Sequence, residues 1–252
     1  MIKSIETLDI HIIGKGKLGR SLSAILKQDH IPHSVYGRDF PHILKGIVYI
    51  CVSENAVQSV ARTLSYPKGC VVIHASGSLG LNVFPSNESE VGCLHPIQSF
   101  PGPEVHLPNS IPATLQSHPK ASSHSINAMK YLATCLKFSL YPFIGNRLTY
   151  HTAAVVSGNF TTIVFSLATE LLVKEGYTQA QASELLYSLA KQSLENASKG
   201  RLEDVLTGPI ARNQSDVLTN QQHNLSWDPT LEQLYGTFVE VARKRLNKDF
   251  TP

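Results

Sequence analysis

Short apolar runs alternate with helically spaced apolar positions through the first half of the chain. Residues 8–14, LDIHIIG, are almost continuously apolar and predict a buried strand. Residues 18–29 place Leu18, Leu22, Ile25 and Leu26 on one helical face. Residues 33–37 and 46–53 predict two more strands, 54–64 a helix, and 70–76 a fourth strand. Strands this apolar are expected where helices cover both faces of a parallel sheet. Right-handed strand–helix–strand connections follow from that arrangement.

The texture changes between residues 85 and 119. Prolines at 85, 96, 101, 103, 108, 112 and 119 predict mostly loop with short strands. A helix over 125–136 and a last strand over 138–145 follow. After Asn146 the strand patterns stop, and helical stretches are expected over 150–175, 178–197, 216–224 and 229–247. Gly176 and Gly200 suit the C-caps of the first two. The fold class is therefore α/β: a parallel-sheet domain over 1–146, then an all-α domain over 147–252. Residues 148–169 contain no Asp, Glu, Lys or Arg. They do contain His151, Ser157, Asn159, Thr161 and Thr162 and lack aromatic belts, so they predict a buried core helix rather than a membrane span.

Composition narrows the field. Hydrophobic residues make up 42% of the 252 and charged residues 16%, enough apolar material for a real core. The net charge of +3 is small and its lysines and arginines are scattered, so no nucleic-acid partner is expected. Cys51, Cys70, Cys93 and Cys135 have neither metal-binding nor redox spacing. They read as reduced core residues of a cytoplasmic protein, with no metal site. Residues 1–10, MIKSIETLDI, carry Glu6 and Asp9 and no long apolar segment, so no signal peptide is expected.

Gly14-x-Gly16-x-x-Gly19 follows the first predicted strand and opens the first helix. Lys15, Lys17 and Arg20 crowd positive charge at a helix N-terminus, where the peptide dipoles disfavour it. The arrangement makes sense if phosphates sit there, as in a Rossmann-type dinucleotide domain. Cofactor contacts are expected from Gly14, Gly16, Lys17, Leu18, Gly19 and Arg38, with Ser53 near the end of the third strand. NAD-preferring sites place an acid at the end of the second strand. Here Gly37 occupies that place and Arg38 follows, a guanidinium suited to a 2′-phosphate, so NADP is expected over NAD. Asp39 is either the acid after a one-residue slip or a partner for Arg38.

Further polar residues follow the later strands. His74, Ser76 and Ser78 are candidates to face the nicotinamide or a substrate, or else form a serine-stabilised turn. His95 precedes Pro96, which restricts it to extended backbone. A neutral imidazole on that stalk suits general acid–base work, although a structural hydrogen bond would also account for it. In YHTAAVVSGNF, residues 150–160, His151 and Gly158 share a helical face, and Asn159 needs a partner in a ligand or another helix. Arg212, after Gly208-Pro209, is a candidate for a substrate carboxylate or phosphate.

These motifs in this order resemble the Rossmann-like proteins with a DUF2520 C-terminal domain, which are provisionally labelled NADP oxidoreductases. The resemblance rests on the glycine loop, His74-x-Ser76-Gly77, His95-Pro96-x-Gln98-x-Phe100, Tyr150-His151-x-Ala153-Ala154 with Asn159, and Leu206-Thr207-Gly208-Pro209-x-x-Arg212. It covers nearly the whole chain. It implies a helical domain akin to that of 6-phosphogluconate dehydrogenase and pyrroline-5-carboxylate reductase, in which helices from two subunits usually pair. The family has no well-established reaction. Where it often reads Arg-Gly-Asp, this chain has Arg212-Asn213-Gln214 and lacks that carboxylate. The related β-hydroxyacid dehydrogenases carry a catalytic lysine four residues before the asparagine, and Val155 stands there. Prephenate dehydrogenases are more distantly similar. His95 matches their His-Pro dipeptide, whereas their second-domain Ser-His is Ser157-Gly158.

The expectation is an NADP-dependent oxidoreductase moving hydride to or from a small polar substrate in the cleft between domains. His95 is the expected acid–base residue, and His74, Ser76, His151, Asn159 and Arg212 are the expected substrate contacts. The protein is expected to be a homodimer with no membrane partner. The alternative, favoured by the missing lysine, is a non-catalytic dinucleotide-binding sensor or partner-binding module.

Overall fold

The computed structural model describes residues 8–104 and 107–246. Residues 1–7, which bear on the absence of a signal peptide, and Asn247, the expected end of the last helix, lie outside the described residues.

Alternating side chains on very short apolar strands leave each strand with two faces to bury. The strands are β1 (Ile10–Ile13), β2 (His33–Tyr36), β3 (Ile47–Ile50), β4 (Val71–His74), β5 (Val91–Pro96), β6 (Ile111–Ser117) and β7 (Phe138–Pro142). They form one sheet in the order β2-β1-β3-β4-β5-β6-β7. Ile12, Tyr49 and Ile73 bury one face beneath Leu22 and Leu26 of α1 (Lys17–Gln28) and Met129 and Leu132 of α3 (Ser123–Cys135). Ile13, Val48, Ile50 and Val72 bury the other beneath Val57 and Ala61 of α2 (Glu54–Thr63). Each side chain of this kind contributes roughly 1.5–3 kcal/mol on burial, so the three layers hold one another.

Strands β1 to β5 run parallel, as expected. β6 departs from the parallel expectation by running antiparallel to β5, and β7 runs parallel to β6. A parallel neighbour needs a crossover of a dozen or so residues, usually a helix. Among the described residues between β5 and β6 there is no helix, so the chain returns beside β5 in the opposite sense.

The described residues divide into two compact units, one ending at Thr161 and the other starting at Thr162. The first unit closes with α4 (Arg147–Val155) and a π-helical turn, Val156–Phe160. Asn146 caps α4 by accepting from the backbone N–H groups of Leu148 and Thr149. The second unit is helical: α5 (Thr161–Lys174), α6 (Gln179–Ala197), α7 (Leu202–Val205), α8 (Ser215–His223) and α9 (Pro229–Leu246). Thr178 and Gln181 form a capping box that starts α6. Gly176 closes α5 at φ +100°, as expected, whereas α6 already ends at Ala197, ahead of Gly200. The short α7 falls between the helical stretches expected over 178–197 and 216–224.

The core-helix expectation for 148–169 does not hold within one chain. The run Arg147–Lys174 is long and apolar enough to cross a membrane, and 6% of its most apolar stretch is buried. Val156, Phe160 and Ile163 are all about half exposed, because few other side chains of this chain lie over them.

Candidate functional site

Four of the parallel strands end in polar segments along one edge of the sheet. β1 has β2 on one side and β3 on the other, so the strand order reverses at β1/β3. Ligands of open α/β sheets bind in the crevice at such a point. Gly14 leaves β1 there at φ +135°, and a Cβ on it would stand 2.2 Å from the Cys51 carbonyl oxygen. A Cβ on Gly19 would lie 1.9 Å from the Gly14 oxygen, so the helix packs on the turn by having no side chain there. Gly16 is different: a Cβ on it would meet nothing within 4 Å. It is the N-cap of α1, with no side-chain cap bond and no acid in the first turn. Free N–H groups, bare backbone and an open approach fit a diphosphate.

Lys15, Lys17 and Arg20 are exposed and make no ion pair among the described residues. Leu18 packs its side chain against the core, so only its backbone is free for a phosphate. Lys15 was not among the expected contacts. Its Cδ lies 3.6 Å from where a Gly37 Cβ would be, so Lys15 runs alongside Gly37 next to the exposed Arg38. Arg38 and Asp39 form no ion pair with each other. Ser53 is the exposed N-cap of α2, beyond the carboxyl end of β3.

A second polar group forms around the end of β5. The β5–β6 register places Thr114 opposite His95. Thr114 Oγ1 donates to the Tyr150 hydroxyl at 2.9 Å, and that hydroxyl lies 2.7 Å from His95 Nδ1. In the tautomer where the Tyr150 proton goes to Nδ1, the neutral imidazole carries its proton on Nε2. Phe143 meets the Tyr150 ring edge-on at 5.6 Å, and His151 meets the His95 ring the same way at 6.0 Å. Gly77 lies against both imidazoles: a Cβ there would come within 2.8 Å of His95 Nε2 and of His151 Nδ1. Burial, then the neighbouring His151, then Arg147 lower the His95 pKa to about 4.

The expected site residues separate by position. His95 and His151 come together, joined by Tyr150, Thr114 and Arg147, which the sequence reading missed. His74 is fully buried at the end of β4, its Nδ1 accepting from the Ser76 N–H at 3.2 Å. Burial and then the Arg147 charge lower its pKa to about 3. Ser76 is also already engaged. Its hydroxyl donates to Glu54 Oε1 at 2.6 Å and accepts from the Leu79 N–H. Ser78 donates to the same carboxylate oxygen. Asn159 is exposed on the π-helical turn, a feature often found at functional sites. Arg212 is exposed in the second unit, where its Nε donates to Gln214 Oε1 at 3.2 Å.

Comparison with known proteins bears on this arrangement. Residues 120–241 match DUF2520, described as a domain of unknown function. This chain carries a DUF2520 domain. The match begins ahead of α3, so the DUF2520 region contributes Arg147, Tyr150 and His151 to the cluster on β5 as well as the helices that follow. No curated protein matches the sequence. Among solved structures, the Bacteroides fragilis protein BF3122, provisionally named an NADP oxidoreductase, is similar with a TM-score of 0.79. The two are 21% identical over 96% of this chain and 100% of that one. Protein TM1727 from Thermotoga maritima has a TM-score of 0.68 at 22% identity, over 94% and 98% of the two chains. The pyrroline carboxylate reductase of Plasmodium falciparum, solved with NADP bound, has a TM-score of 0.64 at 14% identity, over 96% and 99%. The DUF2520 region and the sheet before it thus share the fold of NADP oxidoreductase-like proteins.

Proposed function

We propose that this protein is an NADP-dependent oxidoreductase that acts on a small polar carbonyl–alcohol or imine–amine pair, with His95 managing the proton. The observation that carries the reading is the Thr114–Tyr150–His95 chain on the sheet whose β1 end bears the bare glycine turn. When bound, the nicotinamide supplies or takes up the hydride. Gly16 and the first turn of α1 receive the diphosphate, with Lys17 and Lys15 beside it. Arg38 and Lys15 flank Gly37 and suit a 2′-phosphate, which supports NADP over NAD.

In the reducing direction, His95 gives its Nε2 proton to the substrate heteroatom while Nδ1 receives the Tyr150 proton. Thr114 keeps its hydrogen bond to the phenolate oxygen until Nδ1 gives that proton back to Tyr150 and solvent supplies a new proton to Nε2. The oxidising direction reverses these transfers. A lowered His95 pKa keeps the ring neutral, the form this exchange requires.

Fluorescence titration with NADPH and NADH, followed by a screen of keto acids, hydroxy acids and imines, tests the reading. NADPH is expected to bind more tightly, and His95→Ala to lower turnover about 10²- to 10⁴-fold. Undiminished turnover in that variant rejects His95 as the proton donor. NADPH binding without turnover of any compound favours the sensor reading instead.

We also propose a cytoplasmic homodimer. Four buried, unpaired thiols suit a reducing compartment. Leu185 and Leu189, one turn apart on α6, are 56% and 65% exposed and leave apolar surface that a second copy would cover. Sedimentation of the full chain should give the mass of a dimer, and a monomer at micromolar concentration refutes it.

A further inference from the structure

Arg147 carries a positive charge for which this structure offers no matching negative one. It is the first residue of α4, a position where a cation opposes the helix dipole, and it turns inward until 8% of its surface is exposed. Its Nε and Nη2 both donate to the Gln116 amide oxygen, at 3.0 and 2.7 Å, and its guanidinium carbon lies 4.0 Å from the centre of the Phe143 ring. Both partners are neutral. Nη1 is buried without a hydrogen-bond partner, and no carboxylate of the described residues lies within ion-pair distance.

The groups around it do not cancel the charge. From β5 come His95 and Cys93, whose thiol burial holds protonated, with a pKa of about 12. From β4 comes His74, and from α4 come Tyr150 and His151, whose Nδ1 is also buried without a partner. Glu54 of α2, which accepts from the Ser76 and Ser78 hydroxyls, is not within ion-pair distance of the guanidinium. A buried permanent cation among neutral donors favours an arriving anion, because the low local dielectric strengthens the attraction.

We propose that the substrate handled at His95 is a small carboxylate, drawn to the Gly77 loop by the uncompensated Arg147 charge and bound by the His151 ring N–H, beside the His95 Nε2 that faces the reacting heteroatom. The proposal rests on the oxidoreductase reading for the word substrate, but the anion site stands on Arg147 and the two imidazoles alone. The arriving negative charge also raises the His95 pKa from its lowered value.

The probes are acetate and its neutral isostere acetamide, titrated into full-length protein with ¹⁵N-labelled histidine, with and without NADPH. Acetate is expected to shift the His95 and His151 ring signals saturably at millimolar levels and to raise the His95 pKa, while acetamide does neither. Arg147→Met should weaken acetate about tenfold or more, and Arg147→Lys, which keeps the charge, should weaken it less. Equal responses to acetate and acetamide overturn the proposal. So does acetate that leaves both rings unmoved, or Arg147→Met binding it like wild type. If Arg147→Met does not fold, the acetate–acetamide comparison on the wild type still decides. Loss of the NADPH response with the acetate response intact rejects the oxidoreductase reading and leaves the anion site standing.

Discussion

Gly16→Ala should fold as stably as the wild type and bind NADPH about tenfold or more weakly. The expectation comes from what surrounds the glycine. A Cβ at Gly16 meets no protein atom within 4 Å, and the backbone there, at φ −73°, is ordinary for any residue. Alanine is a poorer N-cap than glycine by a few tenths of a kcal/mol, and it restricts the unfolded chain by a similar amount, so the net change in stability is about zero. The new methyl group occupies the open side of the turn, where the diphosphate has to approach bare backbone. Gly14→Ala is the contrasting variant. Its φ of +135° and a Cβ 2.2 Å from the Cys51 oxygen should cost about 3 kcal/mol or prevent folding. Melting curves and NADPH titrations on both variants separate a ligand-facing glycine from a fold-making one. Gly16→Ala with unchanged affinity would falsify the placement of the diphosphate.

Acid should destabilise this protein at pH values where histidines normally gain their protons. His95 and His74 titrate at about 4 and about 3 in the folded chain, against an ordinary value of about 6.5 in the unfolded one. The unfolded chain therefore binds more protons between those values, and folding stability falls as pH falls from about 6.5. The stabilisation is fully present above 6.5 and is lost once pH drops through the folded values. Each histidine contributes a slope of about 1.4 kcal/mol per pH unit inside its window, and the His95 contribution sums to about 3 kcal/mol. Carboxylates titrate over part of the same range, so the informative quantity is a difference. Urea unfolding of His95→Gln and wild type from pH 7 to pH 4 should show the shallower dependence in the variant, by about one proton's slope. Parallel curves would mean that His95 takes up its proton in the folded chain as readily as in water.

Both expectations draw on residues of unequal legibility. The glycine turn could be read from the sequence because its chemistry is local. A strand, three glycines and a helix start lie within ten residues; Gly19 is required by a contact inside that unit, Gly14 by the chain just after β3, and Gly16 leaves an open side. The same holds for the parallel strands, whose continuous apolar runs reflect burial on both faces. The low burial of 148–169 within this chain, where a core helix was read, has a related reason. Hydropathy reports that side chains want cover without saying which chain supplies it.

The acid–base cluster was legible only in part. His95 stood out because proline follows it, and His151 because it sits in an apolar helix. Tyr150, Thr114 and Arg147 have no comparable local mark. Thr114 reaches the site because β6 returns antiparallel and pairs opposite His95, and the connection that causes this is an irregular, proline-rich segment with no periodicity to read. Arg147 looks like an ordinary surface cation in sequence and becomes a buried one because Gln116, on that same strand, receives two of its donors. The bonds of His74 to the Ser76 N–H and of Ser76 to Glu54 were not legible either, since spacing does not show which polar groups bond to one another. By itself the sequence determined the sheet, the phosphate-ready turn and the helical second half, because local periodicity and backbone sterics encode those. Only the tertiary structure decided which polar side chains meet, because strand register and burial bring together residues up to some fifty-five positions apart, and no local pattern records that distance.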